Sequence, residues 1–365
     1  MASQIDYNNP KLILETGMLE AGEVAWRSPS NLAIVKYWGK HGQQLPKNPS
    51  ISFTLEHAFT ETSIAFEAKK TADQGLSLDF FFDGNPNEAF RVKVLQYLES
   101  LTGIFPFLKQ LHLNIHSANS FPHSSGIASS ASSMSALALC LCTMEDEFFS
   151  TLNNDDDFRQ KASYVARLGS GSACRSIYEG LAAWGASADI EGASDYYAVP
   201  ISEQVHEDFL NLQDAILLVS KAEKSVSSRA GHGLMENNPY AESRYTQARL
   251  HIHNLMAALK SGDLPAVGQI IEAEALCLHA LMMASNPPYL LLEPNTLHII
   301  EKVKAYRQDT SHPIYFSMDA GPNVHLFYPA YLQEEVNAFI SQELSPFCLS
   351  GEWIADHVGQ GPEQL

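Results

Sequence analysis

The run from residue 127 to 144, IASSASSMSALALCLCTM, is built almost wholly of Ala, Ser, Leu, Met and Cys. Side chains this small at helical spacing let a neighbouring backbone come close, so the run commits the chain to one helix packed tightly against another layer. Residues 119–126, a loop with Pro122, come just before it. A loop-to-helix start presents unpaired backbone N–H groups to an anion. Taken by itself, such a run serves packing as well as it serves a ligand.

The segment 168–175, LGSGSACR, is sharper: two hydroxyls, two glycines and an arginine fall within eight residues. Glycines on both sides of Ser170 cost chain entropy that a plain helix start does not require. Bare N–H groups, Ser170, Ser172 and the planar fork of Arg175 suit a phosphorylated ligand, although a structural turn uses the same residues. Two further segments, SPSNLAIVKYWGK (28–40) and SFPHSSGIASSASS (120–133), repeat this vocabulary of hydroxyls, glycines and cations.

The formal charge of −19, from 23 basic and 42 acidic residues, argues against a nucleic-acid partner. An acidic chain that binds phosphate has to concentrate its few cations, which gives weight to Lys36, Lys40, Arg175 and Arg229, all set among Gly and Ser. With 45% hydrophobic and 18% charged residues the composition is globular, and no apolar run of about 18 residues is expected to span a membrane. The first twenty residues lack the basic start and apolar middle of a secretion signal, so a cytoplasmic protein is expected. Five cysteines form no zinc spacing; Cys140 and Cys142 read as buried small hydrophobes.

Length predicts two domains. In the first half, strands are expected at 23–27, 51–55, 62–66, 76–82 and 111–116, with helices at 88–101, 127–144 and 156–167 and strands near 181–185 and 196–199. His112 and His116 read as the polar face of their strand, with a metal pair as the lesser alternative. The pattern restarts with a strand at 215–221, helices at 238–260, 264–284 and 296–306, strands at 314–318 and 324–328 around a turn at 319–323, and a helix at 332–342. In MDAGPNVHLFY, Asp319 ends an apolar strand and projects into a turn where a ligand can approach; an Asx-turn or cap is the plainer reading.

SPSNLAIVKYWGK, SFPHSSGIASSASS, LGSGSACRSIYEG, KSVSSRAG and MDAGPN occur in the order in which diphosphomevalonate decarboxylases, of the GHMP kinase superfamily, carry their signatures. The chain resembles that family from about residue 23 to 345. The resemblance implies an α+β fold of two domains, 1–205 like the second domain of ribosomal protein S5 and 206–365 ferredoxin-like, with the active site in the cleft between. It implies ATP and Mg²⁺ as cofactors, a small-molecule substrate, a homodimer, and decarboxylation of (R)-5-diphosphomevalonate to isopentenyl diphosphate. Asp319 takes the place of the family's catalytic base and Lys36 that of the cation beside it. Tyr37, Lys40, Arg91, Ser170, Ser172, Arg175, Ser228 and Arg229 fall where the substrate's diphosphate and carboxylate are held. Pro122, Ser124, Ser125, Gly126, Ser129 and Ser130 fall in the ATP phosphate loop. Magnesium takes its ligands largely from ATP and water, and the sequence offers no cage.

The chain departs from the family's pattern at PHSSG, where PTAAG is usual, at His41 and Gly42, where an Arg-Asp pair commonly follows KYWGK, and at Ser28-Pro29, where Ala-Pro is usual. Related enzymes decarboxylate the monophosphate or only phosphorylate mevalonate at C3. Lys40, Arg175 and Arg229 together favour the diphosphate. A non-catalytic scaffold of the same fold would show damage at Asp319, Lys36 or the serine loop, and none is visible.

Overall fold

The computed structural model of the chain describes residues 5–15, 17, 20–70, 75–122, 127–152, 154–222 and 226–365, without the side chains of Ser228 and Arg229. The first half comprises β1 (Gly22–Ala33), the short hairpin β2 (Lys40–His41) and β3 (Leu45–Pro46), β4 (Ser50–Ala68), β5 (Ser77–Phe82), β6 (Asn85–Pro86), α1 (Glu88–Ser100), β7 (Leu111–Asn119), α2 (Ser129–Phe149), α3 (Asp155–Gly169), β8 (Leu181–Trp184) and β9 (Ala198–Pro200). The second comprises β10 (Leu212–Leu217), α4 (Ser228–Gly233), α5 (Ala241–Ser261), α6 (Leu264–Met283), α7 (Pro294–Thr310), β11 (Tyr315–Ser317), β12 (Val324–Pro329), α8 (Gln333–Phe339), β13 (Trp353–His357) and β14 (Glu363–Gln364).

One sheet runs β14-β1-β4-β7-β5-β6, with β8 paired to β4 and β9 to β8; the other runs β11-β12-β10-β13. Among these pairs β5 and β7 are parallel, with Ser77 opposite His112. The strands predicted at 51–55 and 62–66 are one strand, β4. Nothing in the intervening EHAFT is a glycine or proline, so no turn breaks it. The irregularity lies within that same stretch: Pro29 of β1 pairs with Phe59 and Asn31 with Thr54, so residues 55–58 of β4 face the single residue Ser30 and β4 bulges there.

Against this sheet lies α2, and its small residues do what their size predicts. Ser132 and Ser135 are fully buried. Ser135 Oγ meets Ser28 Oγ of β1 at 2.6 Å, and Ser132 Oγ meets Thr60 Oγ1 of β4 at 2.6 Å. Ser30 Oγ donates to the Ile127 carbonyl at 2.6 Å just before the helix. Hydroxyl partners thus satisfy one another where the helix and the sheet meet. A first apolar core fills the space between this sheet and α1, α2 and α3. A second joins β1, β4 and β8 to β10, α5 and α6, and so ties the halves together. A third lies between the second sheet and α7 and α8.

Two expectations are corrected. Helix α6 is long and apolar enough, by length and composition, to cross a membrane, with mean hydropathy 1.3 over its 18-residue window. More than half of that window is buried against the rest of the molecule, with Glu274 at its centre. The predicted ending at 342 also misses β13 and β14, five and two residues long, too short to show an alternating pattern. Cys140 and Cys142 are buried free thiols, as their reading predicts.

Candidate active site

Lys36 lies three residues past the end of β1 and is 2% exposed. Its Nζ donates to Ser317 Oγ and to Asp319 Oδ1, each at 3.0 Å. Asp319 sits in the turn between β11 and β12, and its side chain keeps 25% of its surface open. The turn is held by its own backbone: Gly321 N–H donates to the Asp319 carbonyl at 2.7 Å. His279 Nε2 of α6 lies 3.1 Å from that same carbonyl. A carboxylate is therefore fixed at its base and by one oxygen, next to a buried ammonium.

Arg175 comes to this pair from the opposite half. LGSGSACR leaves α3 and forms a tight 3-10 turn over Gly171–Ile177, burying Arg175 to 1% exposure. Its Nε donates to Ser52 Oγ at 2.8 Å and its Nη2 to Asn31 Oδ1 at 3.2 Å. The third arm, Nη1, is buried without a hydrogen-bond partner. Burial pulls the guanidinium's pKa down, while the Asp319 charge pushes it back up, which puts the two groups in one electrostatic neighbourhood. A buried N–H of a guanidinium left unpaired is costly, and an anionic oxygen is the kind of group that would satisfy it.

Tyr37 lines the same place. Its ring packs edge-on to Trp184 at 4.7 Å between centroids and against His232 at 4.3 Å. Its buried hydroxyl has no hydrogen-bond partner, and burial pushes its pKa up. Gly171 makes this fit possible, since a Cβ there would lie 2.8 Å from Tyr37 Cε1 and 2.9 Å from its hydroxyl oxygen. His232 of α4 accepts the Gly39 N–H on Nδ1 at 3.0 Å and so docks α4 onto KYWGK. Two unpaired buried donors, Tyr37 Oη and Arg175 Nη1, thus accompany the Lys36–Asp319 pair.

The other predicted residues fall as follows. Ser170 Oγ lies 3.3 Å from Ser130 Oγ, joining the LGSGSACR turn to the start of α2. Ser172 is half-buried, and its carbonyl accepts from Asn31 Nδ2 at 3.1 Å. Lys40 Nζ donates to Gln44 Oε1 at 3.0 Å across the β2–β3 hairpin. Ser129 and Ser130 open α2, whose N-cap Ala128 has φ +44° and gives no side-chain cap. Pro122 is half-buried in the loop before it. Ser124, Ser125 and Gly126, and the side chains of Ser228 and Arg229, lie outside the described residues.

Arg91 stands apart from the cluster. Its Nε and Nη2 donate to both carboxylate oxygens of Glu88 one turn earlier on α1, at 2.6 and 2.8 Å. Ser317, Ser52, Asn31 and His279 were not singled out from the sequence. For Ser52 and Ser317 the signal is a polar residue within a strand that is otherwise buried: Ser50, Ser52 and Thr54 of β4 and Ser317 of β11 are all fully buried, whereas His279 sits singly in a helix. Among the described residues no group of three or more His, Cys, Asp or Glu side chains stands ready to hold a metal.

Comparison with known proteins agrees with this geometry. Residues 28–198 match the sequence model of the diphosphomevalonate decarboxylase-like N-terminal domain, and residues 215–363 that of the mevalonate 5-diphosphate decarboxylase C-terminal domain. The chain is 29% identical to the diphosphomevalonate decarboxylase of Danio rerio, over 91% of this chain and 86% of that one. It is also 29% identical to that of Saccharomyces cerevisiae, over 86% and 79%. Its fold superposes on mevalonate diphosphate decarboxylase from Staphylococcus aureus with a TM-score of 0.79 at 28% identity, covering 95% of this chain and 98% of that one. A solved chain described as MDDEF in complex with MVAPP, AMPPCP and magnesium gives 0.78 at 29% identity, covering 95% and 99%. With both halves matched and the fold shared along nearly its whole length, the chain belongs to the diphosphomevalonate decarboxylase family, a two-domain α+β member of the GHMP kinase superfamily.

Proposed function

We propose that the chain converts (R)-5-diphosphomevalonate and ATP to isopentenyl diphosphate, ADP, phosphate and CO₂, as an enzyme of the mevalonate pathway of isoprenoid biosynthesis. The observation that carries this reading is the Lys36–Asp319 pair next to Arg175, whose Nη1 is buried and unpaired. A tertiary hydroxyl is a poor nucleophile and a poor leaving group, so it has to be aimed at the γ-phosphate and phosphorylated before the carboxylate can depart. In this reading Asp319 accepts the C3 hydroxyl proton as the oxygen attacks phosphorus, while Lys36 holds the carboxylate ionised and aimed. Once C3 carries phosphate, the C3–O bond breaks. The electron pair of the bond to the carboxylate carbon then forms the alkene as CO₂ leaves.

Tyr37, Lys40, Ser170, Ser172, Arg175, Ser228 and Arg229 are assigned to the diphosphate and carboxylate. Arg91 keeps a weaker claim because of its pairing with Glu88. Pro122, Ser124, Ser125, Gly126, Ser129 and Ser130 are assigned to the ATP phosphates. Oxygen donors such as the loop serines and Asp319 suit Mg²⁺, which would screen the phosphate charge with most of its ligands drawn from ATP and water. A division at residues 205 and 206 accords with the family models, which end at 198 and resume at 215. By the family resemblance we also infer a cytoplasmic homodimer, for which sedimentation should give about twice the 40.2 kDa chain mass.

The test is direct. Purified protein is incubated with Mg·ATP and, separately, mevalonate, its 5-phosphate and its 5-diphosphate, and ADP and CO₂ are measured in each. Release of both from the diphosphate alone is expected. CO₂ from the monophosphate, or ADP without CO₂ from mevalonate, would replace the reading by one of its two relatives, and no product from any would leave a scaffold.

A further inference from the structure

The main chain of Lys36 is held by a buried ion pair from the second half of the molecule. Arg244 of α5 gives Nη1 to Glu274 Oε1 and Nη2 to Glu274 Oε2, both at 2.6 Å, and both residues are buried. Glu274 Oε2 also accepts the backbone N–H of Lys36 at 2.8 Å. Arg244 Nη2 also donates to the Lys36 carbonyl at 3.0 Å. One carboxylate and one guanidinium therefore grip both peptide groups of the residue whose ammonium meets Asp319.

The clamp is braced from outside. His251 lies seven residues after Arg244 on α5, two turns along the same face, and its Nδ1 sits 2.5 Å from Glu274 Oε1. Burial alone would push the Glu274 carboxyl up, but the His251 contact and Arg244 bring it below the ordinary carboxylate range. Asn48 Nδ2 adds a second bond to the Lys36 carbonyl at 3.1 Å. From α6, which carries Glu274, His279 meets the carbonyl of Asp319. The same helix thus contacts the backbone on both sides of the Lys36–Asp319 pair.

We infer that Arg244 and Glu274 are positioning residues for the reaction: they fix the Lys36 backbone so that its ammonium aims the reacting carboxylate. This rests on the roles proposed above for Lys36 and Asp319. An apolar core would fill the same space with less desolvation, so the charge pair is expected to act on geometry rather than stability.

The experiment separates the two. Glu274→Gln places an amide N–H₂ against a donor whichever way it is turned, because both carboxylate oxygens accept from N–H groups. Because that variant risks misfolding, the double variant Arg244→Met with Glu274→Leu keeps the volume apolar. Lys161→Met with Glu145→Leu removes a similarly buried ion pair elsewhere and serves as the control. Expected for the Arg244/Glu274 double variant are a cooperative unfolding transition with Tm no more than several degrees below wild type, because the Lys36 N–H loses its acceptor, a fall in kcat of at least tenfold, and KM values for both substrates within about threefold. The control should keep kcat within twofold. Unchanged kcat in the folded double variant overturns the inference, as does an equal loss in the control. Wild-type turnover of the diphosphate tests the proposed function separately. A crystal structure of the double variant reads the positioning without turnover: Lys36 Nζ still 3.0 Å from Asp319 Oδ1 would also overturn it.

Discussion

Asp319 has one oxygen on Lys36 and a side chain still partly open to solvent, the arrangement a base needs to be both ionised and reachable. Asp319→Asn keeps the size and an acceptor for Lys36 but cannot take a proton. Turnover should fall by about 10²- to 10⁴-fold, the usual worth of a positioned base, with ATP affinity nearly unchanged. Steady-state ADP release checks this; a variant keeping more than about a tenth of the activity would end the assignment. Arg175 differs, because the role proposed for it is to bind. Arg175→Lys keeps a charge but loses the fork that reaches Ser52 and Asn31 while leaving Nη1 over. A charge-assisted hydrogen bond is worth about 1.5–3 kcal/mol, so KM for the diphosphate should rise by about 10- to 100-fold, more than kcat falls. An unchanged KM would remove Arg175 from the substrate site.

At the scale of elements, α4 is a six-residue helix held to KYWGK by one imidazole. Burial, followed by the Lys40 charge, pulls the His232 pKa from 6.5 down to about 3. The folded state therefore binds this proton less readily than the unfolded chain. The contribution of the neutral ring is fully present above pH 6.5 and is lost progressively as pH falls toward 3. His232→Asn retains an acceptor for Gly39 and removes the titration, so the drop in unfolding free energy between pH 7 and pH 4 should shrink. Chemical denaturation at the two pH values measures it, and an equal drop in both proteins would refute the docking role. The site was legible in the sequence where chemistry was crowded into short stretches. LGSGSACR and KYWGK announced Arg175, Tyr37 and Lys36 because glycines and cations at that density have few structural uses. The small residues of α2 announced close packing. Arg244, Glu274 and His232 lay hidden because each sits singly in a helix, and only the fold brings α5, α6 and α4 onto KYWGK. Strand β4 was split in the reading because its middle, EHAFT, mixes polar and apolar residues without a clean alternation.

At the scale of the molecule, the two halves are stitched by the chain's end as well as by the core they share. After β13, Val358 bridges Leu55, Gly359 N–H donates to the Thr54 carbonyl at 2.9 Å, and β14 pairs with β1 opposite Trp26 and Arg27. Gly359 has to be glycine there, since a Cβ would lie 2.6 Å from the Leu55 carbonyl oxygen. The strongest single stitch is Asp356, 3% exposed at the end of β13. Its Oδ1 accepts the N–H groups of Glu56 and His57 at 2.8 and 2.9 Å, and its Oδ2 that of Ala58 at 2.9 Å. These N–H groups belong to the residues of β4 that bulge out of its ladder with β1, between Thr54 and Phe59. One buried carboxylate in the second sheet thus takes up donors of the first, and an unpaired buried donor costs about as much as the bond it lost. Asp356→Asn turns one acceptor into a donor facing an N–H in either amide orientation. The cost should be about 1.5–3 kcal/mol, since the bonds lost are to a charged group. Calorimetry should show Tm lowered by several degrees, with kcat of the folded enzyme close to wild type because Asp356 touches none of the site residues. If Tm is unchanged, Asp356 rests on β4 without holding it, and the alignment of the halves depends on the shared apolar core and the remaining backbone links of the tail.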